Sequence, residues 1–227
     1  MFKQAIVFGY LALVCSAASA QDWAYLKRYQ RQNDSLSSLP VPRDRVVFMG
    51  NSITDFWINR SPQFFADHHY VDRGISGQTS PQMLLRFTQD VVDLQPQAVV
   101  IECGTNDIAG NTGPSTLKMI TDNISAMAEI AKAHNILVII GSVLPASRFI
   151  WKPDAQPATR IDSLNKWLRG YAAEKHFAYV DYYSALVDGE GGMKKEYSAD
   201  GVHPNDAGYK VMEAVVQPVI MKVLGKP

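Results

Sequence analysis

From residue 45 onward, short apolar runs alternate with longer stretches of helical spacing, the pattern of βαβ units around a parallel sheet. Runs at residues 45–49, 70–73, 98–103, 136–141 and 178–181 predict strands. Residues 136–140 are apolar throughout, as expected of a strand covered on both faces. Helices are predicted at about residues 81–93, 115–133, 158–175 and 206–223. In the second, Leu117, Ile120, Ile124, Met127 and Ala131 recur at three- and four-residue steps. Ile161, Leu164, Trp167, Leu168 and Tyr171 do the same in the third, and both stripes read as core faces. Pro114 is placed to open the second helix and Asn135 to follow its end. Residues 22–42 are polar and finish in Leu39-Pro40-Val41-Pro42, which predicts an N-terminal helix and an extended lead-in to the first strand.

The first twenty residues follow another pattern. Lys3 precedes an apolar run at residues 5–15, and Ala18-Ser19-Ala20 supplies small residues before Gln21, the layout of a secretory signal. The run is short for a membrane span, which needs about 20 apolar residues. Val14 is bulky where a lipoprotein signal has a small residue before its cysteine, here Cys15. The expectation is an exported protein, periplasmic or extracellular, cleaved after residue 20 and not inserted in the membrane. Residues 21–227 then form a single domain whose one cysteine, Cys103, has no disulfide partner. Cys103 adjoins an apolar run and reads as a buried, inert thiol.

Composition narrows the function. Twenty-two Lys and Arg balance 22 Asp and Glu, so there is no basic surplus to hold nucleic acid. With 47% hydrophobic residues the chain can bury a full core. His68 and His69 are adjacent, so in an extended segment they point to opposite faces, and no cysteine or carboxylate cluster completes a metal site. No glycine-rich nucleotide fingerprint occurs, and no cofactor or metal is expected.

In a parallel sheet the ligand site lies beyond the carboxyl ends of the strands. The first strand runs into Gly50-Asn51-Ser52-Ile53-Thr54, where Ser52 is either a helix cap or a hydroxyl exposed beside backbone N–H groups. The second is followed by Gly74-Ile75-Ser76-Gly77-Gln78-Thr79-Ser80. Gly77 can bring its N–H close to a ligand there, and Ser80 is placed to cap a helix beginning at Pro81. After the third comes Gly104-Thr105-Asn106-Asp107, a turn in which Asn106 either closes an Asx turn or offers a donor that does not titrate. The most specific segment is Asp200-Gly201-Val202-His203-Pro204-Asn205. There an aspartate three residues before a histidine can orient the imidazole through Nδ1 and leave Nε2 for a serine.

These four segments, in this order, resemble the SGNH hydrolase superfamily, the GDSL-like esterases and lipases, from about Val46 to Tyr209. The subgroup they look most like includes platelet-activating-factor acetylhydrolase-like proteins and bacterial acetylesterases. The resemblance implies a flavodoxin-like three-layer α/β/α fold with a five-stranded parallel sheet and metal-free ester hydrolysis. It puts the catalytic serine at Ser52, with Asp200 and His203 completing the triad, and the oxyanion hole at Ser52, Gly77 and Asn106. One departure is Asn51, where the family usually has aspartate; its amide oxygen can still support the turn.

The expected substrate is a small-molecule or glycan ester carrying a short acyl group, most simply acetyl. Phe149 and Trp151, in the segment after the fourth strand, either stack on a sugar or pack that loop, and Asn51 is a third candidate substrate contact. Phe56 and Trp57 read as core. The alternatives are a lysophospholipase or thioesterase for longer chains, and a carbohydrate-binding protein on the same fold with little catalytic power.

Overall fold

The computed structural model describes residues 22–226. Its five strands are β1 (Val46–Gly50), β2 (Tyr70–Gly74), β3 (Ala98–Ile101), β4 (Leu137–Gly141) and β5 (Ala178–Val180). All pair in parallel, in the order β2-β1-β3-β4-β5. The helices among the described residues are α1 (Gln30–Ser37), α2 (Ser52–Arg60), α3 (Pro62–Ala66), α4 (Ser80–Asp90), α5 (Thr105–Ala109), α6 (Leu117–Ala133), α7 (Pro157–Lys175), α8 (Tyr182–Leu186) and α9 (Asp206–Val223).

Side chains alternate across each strand, and the two faces collect separate cores. Val47, Met49, Val99, Ile101, Val138 and Ile140 pack against α4, α6 and α7. Val46, Phe48, Val100 and Ile139 pack against α2, α3, α8 and α9. On the second face the Phe48 ring lies 5.3 to 6.1 Å from those of Trp57, Phe64, Phe65 and Tyr70.

Two helix starts are set by residues other than those expected to set them. α6 begins at Leu117 behind Thr116, whose hydroxyl accepts from Met119 N–H at 3.2 Å, so Pro114 lies outside the helix. α4 begins one residue early, because Thr79 forms a capping box with Gln82. Ser80 does not cap it; its N–H and hydroxyl both donate to the Asp107 carboxylate.

The segment ahead of β1 is fastened to α4 through side-chain amides. Gln78, Gln82 and Gln89 donate to the carbonyls of Ala24, Trp23 and Leu26. Asn33 of α1 links Asp90 to the Arg73 guanidinium. At the centre, fully buried Arg86 pairs with Asp90 and donates to Gly50 O, Arg73 O and Gln78 Oε1. One side chain therefore ties the end of β1, the end of β2 and the following loop together. The sequence signal for it is an Arg–Asp pair four residues apart beside Met83 and Phe87 on α4.

Glu102, just after β3, is buried with both carboxylate oxygens unpartnered among the described residues, and the Tyr182 hydroxyl is likewise orphaned. Burial pushes the Glu102 carboxyl up to about 8. A carboxyl raised on folding keeps a proton that the unfolded chain releases near pH 4, so its contribution to stability declines as pH rises from about 4 to about 8. Glu102→Gln is expected to flatten that decline, by at most about 1.4 kcal/mol per pH unit, in urea unfolding followed between pH 5 and 8. Parallel pH profiles for the two proteins would contradict a proton held at Glu102.

Candidate active site

The order of the strands creates the site. The chain leaves β1 for β2 on one side and β3 lies on the other, so the carboxyl ends of β1 and β3 border a crevice. Ser52 opens α2 directly after β1, and Asn106 lies in α5 directly after β3.

Asn51 caps α2: its Oδ1 accepts from Ile53 N–H at 3.0 Å. An amide oxygen thus does what a carboxylate would do there, while Asn51 Nδ2 is buried without a partner among the described residues. The residue is 1% exposed, so the expectation that it touches substrate is not met. Gly74 lets the end of β2 lie against the first turn of α2, since a Cβ there would fall 2.0 Å from Asp55 N.

Ser52 Oγ lies 2.9 Å from His203 Nε2, across 151 residues of sequence. His203 Nδ1 lies 2.7 Å from Asp200 Oδ2. A carboxylate only accepts, so Nδ1 carries a proton and Nε2 is the nitrogen turned toward the serine. Partial burial pushes the Asp200 carboxyl up. The His203 ring, the His203 N–H and the Val202 N–H outweigh that and hold it at about 2. Ser198, which the spacing did not flag, fixes this loop: its Oγ accepts from Gly201 N–H at 2.9 Å and lies 2.8 Å from the His203 carbonyl. Tyr209 of α9 donates to the Ile53 carbonyl at 2.8 Å, joining the helix after His203 to the helix that carries Ser52.

Gly77 is exposed and has φ +80. Gln78 N–H donates to Ile75 O, and Ser76 is absent from the positive-φ residues, which makes residues 75–78 a type II turn with glycine at its third position. Among the described residues the Gly77 N–H has no acceptor. Asn106 stands in the first turn of a short helix, not in the loop turn expected of it. One hydrogen of its amide goes to Gln78 O at 3.0 Å, which leaves the second for a ligand. Its neighbour Asp107 takes the Ser80 bonds at the start of α4, so the loops after β2 and β3 are fastened together.

The aromatic expectations change places. Phe149 is fully buried with its ring stacked beneath Trp151 at 5.1 Å, so it has no face for a sugar. Phe56, expected in the core, is 40% exposed with its ring 5.4 Å from that of His203. Trp151 is 45% exposed, 6.3 Å from the same imidazole, and Trp57 is core as expected. His203 is thus flanked by two exposed rings. Cys103 is buried, and that burial pushes its thiol well up. His68 faces the Phe64 carbonyl and His69 the Asp44 carboxylate. Among the described residues no helix is long and apolar enough to cross a membrane; the proposed signal, residues 1–20, lies outside them.

A hydroxyl, an imidazole and a carboxylate in line, beside free N–H donors, is an arrangement suited to acyl transfer. A family model for GDSL-like lipases and acylhydrolases matches residues 48–211. The chain belongs to that family. This GDSL-like hydrolase is 45% identical to a GDSL-like lipase from Bacteroides thetaiotaomicron VPI-5482, covering 88% of this chain and 98% of that one at a TM-score of 0.84. It is 28% identical over 179 residues to Esterase TesA of Pseudomonas aeruginosa, which is 76% of this chain and 82% of the relative. An acetyl xylan esterase from Geobacillus stearothermophilus shares the fold, at a TM-score of 0.63 and 18% identity over 78% of this chain and 94% of that one. The SGNH resemblance and the three-layer fold with its parallel sheet are therefore correct, and the protein is an ester-hydrolysing enzyme.

Proposed function

We propose that this GDSL-like hydrolase is an exported serine esterase that removes short acyl groups, acetyl foremost, from the hydroxyls of a carbohydrate. In this mechanism His203 Nε2 takes the Ser52 proton as Oγ attacks the ester carbonyl, and Asp200 stabilises the imidazolium. The Ser52 and Gly77 N–H groups and the free Asn106 N–H receive the oxyanion. His203 then hands its proton to the departing alkoxide, and the acyl group stays on Ser52. Water, deprotonated by the same imidazole, releases the acid and restores the serine.

The observation that carries the substrate class is the pair of exposed rings beside His203. Because the imidazole protonates the leaving oxygen, the alcohol half of the ester occupies the space next to it, between Phe56 and Trp151. Flat aromatic faces favour a ring-shaped alcohol such as a sugar. The fold shared with an acetyl xylan esterase agrees with an acetylated glycan, and the leader-like residues 1–20 agree with a substrate outside the cytoplasm.

The test is a p-nitrophenyl ester series run beside acetate release from acetylated polysaccharides. The expected kcat/KM is highest for acetyl and falls at least about tenfold beyond about four acyl carbons, with acetate released from at least one polysaccharide. A value that climbs toward long chains supports a lysophospholipase or thioesterase instead. Glycan binding without any ester turnover supports a binding protein.

A further inference from the structure

Asn111 is an exposed residue just beyond α5 that joins three parts of the site. Its Oδ1 accepts from Trp151 Nε1 at 3.2 Å. Its Nδ2 donates to the Gly77 carbonyl at 3.3 Å. Its backbone N–H donates to the Asn106 carbonyl at 3.0 Å. One side chain therefore spans from the aromatic wall beside His203 to the glycine whose N–H is free.

Gly77 needs such a tether. A Cβ built there would meet nothing within 4 Å, so no packing confines the residue. Glycine is soft in both backbone angles, so the Gly77 N–H is placed by what holds the two ends of the turn that carries it. Ser76 is held on one side of Gly77, its N–H and hydroxyl both donating to Asp55 Oδ2. Asn111 holds the Gly77 carbonyl on the other.

We infer that Asn111 is a positioning residue that locks the Gly77 turn in its oxyanion-binding orientation and couples that orientation to the placement of Trp151. This rests on the esterase reading above. The bridge lets contact between the alcohol half of the ester and Trp151 act on the oxyanion donors, so binding energy remote from the carbonyl appears in kcat.

The test compares wild type, Asn111→Ala, Asn111→Asp, Trp151→Phe and the Asn111→Ala/Trp151→Phe double variant on p-nitrophenyl acetate. Asn111→Ala is expected to lower kcat about 10- to 100-fold, with KM and Tm little changed. Asn111→Asp keeps an acceptor for Trp151 but sets an oxygen against the Gly77 carbonyl, and should lose at least as much. Trp151→Phe keeps a ring and removes the donor; its kcat loss should be smaller, and the double variant no worse than Asn111→Ala. Wild-type kcat in Asn111→Asp, or losses that multiply in the double variant, would overturn the coupling. If the wild type turns over no ester, the esterase reading fails on its own. The bridge is then read from the Trp151 emission, taken as wild type minus Trp151→Phe. That emission should change in Asn111→Ala, and an unchanged one overturns the bridge.

Discussion

Ser52→Ala is expected to lower kcat on p-nitrophenyl acetate by about 10⁴- to 10⁶-fold while leaving the fold intact. The loss corresponds to about 5–8 kcal/mol of transition-state stabilisation. The hydroxyl contributes little to structure: among the described residues its hydrogen-bond partner is His203 Nε2 alone, and the cap of α2 is supplied by Asn51. Removing Oγ deletes the nucleophile and leaves the N–H donors and the aromatic walls in place, so KM should move far less than kcat. Circular dichroism and Tm establish that the variant is folded, and stopped assays measure the residual rate. A Ser52→Ala protein within tenfold of wild type would reject the serine as nucleophile.

Asp200→Asn is expected to cost about 10⁴-fold in kcat through the tautomer of one ring. With an amide N–H in place of the carboxylate oxygen, Nδ1 becomes the acceptor. The ring proton then moves to Nε2, where it faces Ser52 Oγ and cannot receive the serine proton. Imidazole ¹⁵N shifts should report the switch directly, and a variant retaining more than a tenth of wild-type kcat would refute it. The same substitution has a stability signature in acid. The Asp200 carboxyl sits at about 2 when folded and near 4 when unfolded, so the unfolded chain binds its proton first as pH falls. Its stabilisation is complete above about pH 4 and disappears as pH drops through about 2. The carboxylate is about a third exposed, so solvent screening keeps the effect modest. Asp200→Asn should lack that component when acid unfolding is compared with wild type.

How much of this was legible beforehand depends on the range of each interaction. The strands and the longer helices α4, α6, α7 and α9 follow from periodicity within a few residues, and the misplaced starts of α4 and α6 each turned on a threonine cap in place of the residue expected to open the helix. Asp200 and His203 were legible as a pair because they stand three positions apart in one loop, so the bond between them is local. Phe56 was misread, and Phe149 was left open between sugar contact and loop packing, because their burial is decided by what covers them. Phe56 lies one residue before Trp57 on α2, and that rotation carries it out of the core to stand beside His203. Phe149 is sealed under a tryptophan two residues later in an irregular segment. Arg86 and Asn111 left almost no trace, since each acts through partners on other elements.

The sequence by itself determined the alternation of strands and helices, the family, and which residue types stand after each strand, because periodicity, capping and short loops are encoded within a few residues. Tertiary structure brought Ser52 to His203 as the resemblance implied, and it alone decided which aromatic rings face the site and that one asparagine spans two of its walls. Those distances depend on strand order and on how separate helices pack across the sheet, which no local pattern contains.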